Sequence, residues 1–514
     1  MNLTKLIKGV DILSIYGDLK KNISCVSDNT KSITKNSLFV AIRGMKIDSH
    51  SLIPDAISKG AIVIVGEEAY KKDWGTTYIR VKNSREALAI IASNWYGNPS
   101  KAFKVIGITG TDGKTTTANL IYWILKHSGK NVGIVSTVNA IIGDKKVDTG
   151  FHVTNPEPLV LQEILHKMNE FNCTHVVLEV TSHGIDQRRV HGINFETACL
   201  TNITHEHLDY HKTFENYRDV KAKLFKNVKY AVLNKDDASF EYIKNKSNAK
   251  KFYTYSLSYD ANADYYAYDI KSAINKTVFK LKAGNKTMLI STRLLGDYNV
   301  ANILCAIATA RIYKVKWNKI ISALKCFSPP SGRLEEIEND KGINIYIDFA
   351  HTPNALEQVL RLLRSKTKGK LITVFGCAGE RDTQKRITMP QISVNYSDVS
   401  IFTAEDPRYE DVNQILDVMS DSARNVGGVE IKNFKDEDKF KECKGKLYLK
   451  IPERGEAIYF AINKIAQEKD TVIICGKGHE KSMSYNGVEY PWSDKEAVKM
   501  ALNGEIKKIL WINH

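Results

Sequence analysis

Apolar and polar residues fall along this chain in blocks that read as strands followed by helices. The clearest block begins at Val105. The run Val105-Ile106-Gly107-Ile108 is short, apolar and bounded by a glycine turn, the pattern of a buried strand. After Gly110 and Gly113 the spacing turns helical, with Leu120/Ile124 and Ile121/Leu125 stacked at i,i+4 before the stop signal Ser128-Gly129. Upstream, 37–42, 61–65 and 78–81 are strand-like, and 54–59 and 84–96 are helical. Downstream, strands are expected at 131–137, 175–180, 197–203, 343–347, 370–375, 398–403 and 471–475, and a helix at 354–363.

Two stretches of turn chemistry, Gly97-Asn98-Pro99-Ser100 and Ser328-Pro329-Pro330-Ser331-Gly332, interrupt the alternation. They divide the chain into three expected domains, 1–98, 99–330 and 331–514, in keeping with one core per roughly 100–200 residues. The fold class is α/β: a small N-terminal α/β domain, a central doubly wound, mostly parallel P-loop sheet, and a C-terminal Rossmann-like α/β domain. In such sheets ligands sit at the carboxyl ends of the strands, where polar clusters follow in this sequence.

Composition narrows the class. An apolar fraction of 43% and a charged fraction of 26% over 514 residues suit an ordinary globular protein. No apolar run approaches the ~20 residues of a membrane span, and the first residues lack the apolar core of a signal peptide. No membrane insertion is expected. Eight cysteines occur singly (25, 173, 199, 305, 326, 377, 443, 475) without zinc-type spacing, and most border apolar stretches, which suits a reducing cytoplasm. The net charge of +16 is spread over helices and turns without aromatic interleaving, so no nucleic-acid partner is expected, only a general attraction for anions.

The strand–glycine loop–Lys-Thr–helix order at 105–117 describes a phosphate cradle. Backbone N–H groups and the helix N-terminus face the anion, Lys114 reaches the outer phosphates, and a Thr115 or Thr116 hydroxyl can hold Mg²⁺. The spacing departs from the common form: five residues, not four, separate Gly107 from Gly113. Glu179 closes an apolar strand, where a carboxylate reaches Mg²⁺ or its water. His207 lies in His205-Glu206-His207-Leu208-Asp209-Tyr210-His211; with no cysteine near and phosphates expected, Mg²⁺ suits this site better than zinc. Lys221 shares a helical stripe with Tyr217 and Phe225. On pattern alone it snorkels to water; the alternative is a buried amine of lowered pKa.

Six segments then resemble the Mur ligases in order and spacing. They are Gly110-Thr111-Asp112-Gly113-Lys114-Thr115-Thr116, Glu179-Val180-Thr181-Ser182-His183-Gly184, Glu206-His207-Leu208-Asp209-Tyr210-His211, Gly332-Arg333-Leu334-Glu335, Asp348-Phe349-Ala350-His351-Thr352-Pro353 and Gly476-Lys477-Gly478-His479-Glu480. The resemblance is strongest to the branch that makes a muramoyl-tripeptide. It implies an ATP-dependent amide-bond synthesis in the cytoplasm: UDP-MurNAc-L-Ala-D-Glu is activated as an acyl phosphate and a diamino acid attacks. It implies Mg²⁺ held by Thr115, Glu179, His207 and a CO₂-derived carbamate on Lys221. ATP is implied at 110–116, Asn302, Arg333, Asp348 and His351, and the muramoyl-peptide at Asn29, Thr154, Asn155, Thr181, Gln187 and Arg189.

For the added amino acid the resemblance implies Arg386, Glu405, Asp406, Pro407, Arg408, Gly476 and Glu480. Glu405-Asp406-Pro407-Arg408 is similar to the Asp-Asn-Pro-Arg segment of members that add meso-diaminopimelate, which is favoured here. The extra acidic charge keeps L-lysine open. Where the family has Asp-Ser-Arg at the uridine, this chain has Asp28-Asn29-Thr30 and no arginine. A monomer is expected. The alternatives are a folylpolyglutamate synthase-like ligase and a nucleic-acid-binding P-loop ATPase.

Overall fold

The computed structural model describes residues 1–44, 47–143, 145–147, 154–259, 262–273, 276–432 and 446–509; Cys443 lies outside them. Its strands form three large sheets and one small hairpin. The first sheet has five strands in the order Ile12–Tyr16, Thr77–Val81, Ala61–Gly66, Ser37–Val40, Cys25–Ser27, parallel except at Ile12–Tyr16.

The central sheet is organised about Lys104–Thr109. This strand pairs in parallel with His175–Glu179 on one side and Phe195–Leu200 on the other. The chain leaves it through the helix Lys114–His127 to Val132–Val135, then returns to both flanks, so the connection direction reverses beside it. That reversal opens a crevice above its carboxyl end. Alternate side chains of the strand face two cores: Ile106 and Ile108 pack under Lys114–His127 and Asp297–Ile312, Val105 under the opposite helices. Gly107 is needed because a Cβ there would meet the Phe195 ring at 2.8 Å.

Beyond Tyr230–Asn234 and Lys251–Ser256 the sheet ends in three antiparallel strands, Tyr265–Ser272, Thr277–Ala283 and Lys286–Thr292. The expected strands and helices outside this region are present with shifts of a few residues at their ends.

The third sheet runs Glu335–Ile337, Asn344–Asp348, Thr471–Cys475, Leu371–Phe375, Val399–Phe402, Leu447–Lys450, Val429–Glu430, parallel except for the first. The carboxyl end of Thr471–Cys475 and the residues just after Val399–Phe402 are tied together by a buried ion pair. The Arg454 guanidinium donates twice to Asp494, at 2.8 Å each, and to the carbonyls of Cys475 and Ala404 at 2.9 and 3.3 Å. Trp492 Nε1 completes the Asp494 shell at 2.9 Å. Removing one partner leaves a full charge in the core, so Asp494→Ala is expected to cost about 3–5 kcal/mol of stability, read from denaturant unfolding. A change below ~1 kcal/mol would mean that the pair is not what holds these two strand ends.

Among the described residues no helix is long and apolar enough to cross a membrane.

Candidate active site

One cleft of about 1050 Å³ spans the carboxyl end of the central sheet and the facing edge of the C-terminal unit. The phosphate loop forms its floor. Gly113 adopts φ 78 and caps Lys114–His127, and a Cβ there would overlap the Asn302 amide. Neighbouring strand ends hold the loop: Thr111 N–H donates to Asn202 O at 2.8 Å, Asp112 N–H to Asn202 Oδ1 at 2.9 Å, and Thr201 Oγ1 to Asp112 O at 2.7 Å. Lys114 folds back over the loop, its Nζ donating to Thr111 O at 2.7 Å. Free N–H groups at a helix start, with a lysine and Thr115 and Thr116 beside them, form an anion site. Arg333 reaches in from the C-terminal side. Its Nη2 donates to Thr115 Oγ1 at 3.0 Å, while its buried Nε has no hydrogen-bond partner among the described residues.

Glu179 stands beside the loop, 1% exposed. Its carboxylate accepts from Thr115 Oγ1 and Thr137 N–H, both at 3.1 Å. His207 follows at φ 56, its ring edge-on to His183 at 4.7 Å; burial holds its imidazole well below the usual histidine range, so it is neutral. Lys221 does not snorkel. It is 1% exposed, directly under the loop, with Nζ donating to Gly110 O at 2.6 Å and lying 4.5 Å from the Tyr217 ring centre. Burial, and then the charge of Lys114, push its ammonium well below the usual lysine range. Lys221 and Gly110 lie beneath the cleft rather than on its wall.

Along one arm of the cleft Thr154, Asn155, Thr181, Gln187 and Arg189 come together. Asn155 is the hub. It donates to Glu179 O at 2.7 Å, accepts from Thr181 N–H and Oγ1 at 2.9 Å, and its carbonyl accepts from Arg189 Nη1 at 2.8 Å. A strand end, a helix start and a loop are thus locked into one polar wall. Asn29 is not part of it: its side chain accepts from Lys31 N–H and caps the turn Thr30–Ser32 in the first unit.

At the other arm, Asn302, Arg333, Asp348 and His351 line the cleft. Asp348 is spent on the backbone N–H groups of Leu334 and Ala350, at 2.6 and 2.7 Å, so it braces the turn that carries Arg333. Burial lowers His351 to about 3, leaving it neutral.

On the C-terminal wall the expected residues separate into those that line the cleft and those that do not. Arg386 is absent from the cleft; its guanidinium is held in a bidentate pair by Glu410 at 2.7 and 2.8 Å. Arg381, five positions earlier, does line it, together with Arg408 and Glu480. Burial, and then the charge of Arg408, lower the Arg381 guanidinium, as two cations facing an open space should do. Asp406 and Arg408 adopt φ 41 and 57 on either side of Pro407, and the Arg408 N–H is fixed to Ser484 O at 3.0 Å by the Ser482–Tyr485 hairpin strand.

Glu405, Asp406, Pro407 and Gly476 lie behind this wall. Asp406 is neutralised by the buried Lys477 at 2.8 Å, and burial raises Glu405 to about 8, so it keeps its proton at neutral pH. The added acidic charge therefore does not reach the open space.

Three family models match in chain order: "Mur ligase family, catalytic domain" over 22–96, "Mur ligase middle domain" over 108–310 and "Mur ligase, glutamate ligase domain" over 332–478. A UDP-N-acetylmuramoyl-L-alanyl-D-glutamate--2,6-diaminopimelate ligase of Clostridioides difficile is 36% identical over 98% of this chain and 100% of its own length. The protein of the same name from Cytophaga hutchinsonii is 36% identical over 98% and 99%. A solved structure of a ligase with that name superposes with a TM-score of 0.66 at 27% identity, covering 98% of this chain and 99% of that one. MurF ligase of Thermotoga maritima in complex with ADP shares the fold at 19% identity and a TM-score of 0.61, over 93% and 97% of the two chains. With the phosphate loop, the Glu179 strand end and the facing C-terminal wall in one cleft, the chain belongs to the Mur ligase family of ATP-dependent ligases.

Proposed function

We propose that this chain joins meso-diaminopimelate to UDP-MurNAc-L-Ala-D-Glu, a cytoplasmic step of peptidoglycan precursor synthesis. The observation that carries the reading is the single cleft lined by a phosphate loop, a polar wall at Asn155, Thr181 and Arg189, and the Arg381/Arg408 pair. In this reading Lys114 and Arg333 hold the ATP phosphates. The γ-phosphorus passes to the terminal carboxylate of the peptide, ADP leaves, and the incoming amine displaces phosphate from the acyl phosphate. Crowded anions are the main obstacle, and preorganised cations at the points of developing charge are the remedy.

Thr115, Glu179, His207 and a carbamylated Lys221 would hold Mg²⁺. A buried carboxylate, a neutral imidazole and a lysine pushed toward its free amine fit that role. The ion, when bound, would supply Lewis-acid charge to the phosphoryl oxygens. Arg381 and Arg408 would clamp the distal carboxylate of the diamino acid, a group L-lysine lacks.

The test is ADP release with UDP-MurNAc-dipeptide, Mg-ATP and a panel of amino acids. Meso-diaminopimelate should be the best acceptor, and Arg408→Ala should raise its KM about 10²-fold, the cost of truncating one partner of a desolvated charge pair. L-lysine as the best acceptor would overturn the clamp. No amino-acid-dependent release with any acceptor would overturn the whole reading.

A further inference from the structure

Asp112 is the one carboxylate of the phosphate loop, and its side chain is held from outside the central unit. Oδ1 accepts from Thr352 Oγ1 at 3.1 Å, and Oδ2 from Asn354 Nδ2 at 2.8 Å. Both donors sit at the start of the C-terminal helix Pro353–Lys366, which Thr352 caps. The Thr352 hydroxyl accepts from Ala355 N–H at 3.0 Å, which commits its proton to Asp112. The backbone of Asp112 is pinned on the opposite side by Thr201 and Asn202. One residue is therefore bonded through its main chain to the central sheet and through its side chain to the C-terminal unit.

The charge makes this joint conditional. A carboxylate beside bound polyphosphate is repelled by it. The two hydrogen bonds and the positive end of a 14-residue helix offset that repulsion only while the helix is seated. Phosphates in the loop thus raise the cost of withdrawing the helix, and a seated helix lowers the cost of accepting phosphates.

We propose that Asp112 is a positioning residue that couples polyphosphate binding to the seating of the C-terminal unit, with Thr352 and Asn354 as its partners. The proposal rests on the reading of the loop as the ATP site. In the structure Asp112 bonds to the C-terminal unit, and its role is to fix where Arg381 and Arg408 stand relative to the phosphates.

A side-chain swap tests it. Asn354→Asp sets a second carboxylate against Asp112; adding Asp112→Asn restores one amide–carboxylate hydrogen bond with donor and acceptor exchanged. The readouts are kcat against KM, Mg-ATP affinity by calorimetry, and nucleotide-induced compaction by X-ray scattering. Asn354→Asp alone should lower kcat about tenfold or more and abolish the compaction, and the double variant should regain about threefold or more of the lost kcat together with the compaction.

A double variant no better than Asn354→Asp, or an Asn354→Asp protein that behaves as the parent, overturns the coupling. If Asn354→Asp does not fold, Asp112→Ala, Asn354→Ala and their double form the same cycle. There, non-additive losses support the proposal and additive ones overturn it. A parent protein that binds no Mg-ATP would sink the loop reading itself. A parent that binds and turns over while the swap fails sinks only the coupling.

Discussion

Replacing Lys114 by alanine is expected to lower turnover by about 10²–10³-fold, the typical cost of deleting one preorganised donor at a site of developing charge. The geometry explains why no neighbour can substitute. Lys114 is the first residue of its helix, and its ammonium arches across the loop to Thr111 O at 2.7 Å. Burial lowers its pKa, while the carboxylates of Glu179 and Asp112 oppose that shift. An incoming triphosphate adds negative charge and acts in the same direction as these carboxylates, favouring the ammonium where the γ-phosphoryl group must be neutralised. Arg333, whose charge is also felt at Lys114, is committed through Nη2 to Thr115 and stacks over Phe349 at 4.5 Å. Its reach is fixed by the turn that Asp348 braces. The check is the initial rate of ADP release at saturating acceptor, with unfolding midpoints to show that the variant is folded. A Lys114→Ala enzyme within threefold of the parent would remove the loop from the reaction.

What could be read from sequence follows from how local each determinant is. The strand at 105–108, the helix after Gly113 and the carboxylate at Glu179 are each specified by a few adjacent residues, and the structure has all three. Asp297–Ile312 is buried on nearly every side, so it shows no polar face from which its exposed side, or the Asn302 contact with Gly113, could have been inferred. The antiparallel strands at 265–292 went unread because they lie at the sheet edge, where partial exposure mixes polar and apolar positions.

Arg381 and Arg386 show the same limit at the scale of a site. They lie five positions apart in one polar stretch. Arg386 is paired with Glu410 from a different loop and does not line the cleft, a contact that no local pattern announces. The stripe Tyr217, Lys221, Phe225 was legible and is buried throughout. The fate of its amine was not, because that depends on a carbonyl 111 residues away.

That amine carries the second large effect. Lys221→Ala is expected to lower turnover by about 10²-fold or more, comparable to losing a metal-supporting group. The argument begins with protonation. A lysine of ordinary pKa is the free amine in only roughly one molecule in a few thousand at pH 7, too little for efficient reaction with CO₂. Burial and the neighbouring Lys114 push Lys221 well below its usual range, so its free amine becomes accessible as pH rises through a much lower value. Carbamylation would exchange a cation that repels Lys114 for an anion that attracts it. It would also place a carboxylate-like group under the loop near Glu179, completing a set of hard donors.

Three observations should then agree. Activity should fall when dissolved CO₂ is stripped and return with bicarbonate. Isotope-labelled bicarbonate should give a carbamate signal in the parent and none in Lys221→Ala. High concentrations of formate or acetate should restore part of the variant's activity by supplying the missing carboxylate to the vacated space. A Lys221→Ala enzyme as active as the parent, or a parent whose rate ignores bicarbonate and shows no carbamate, would return Lys221 to a plain structural role, donating to Gly110 O beneath the loop.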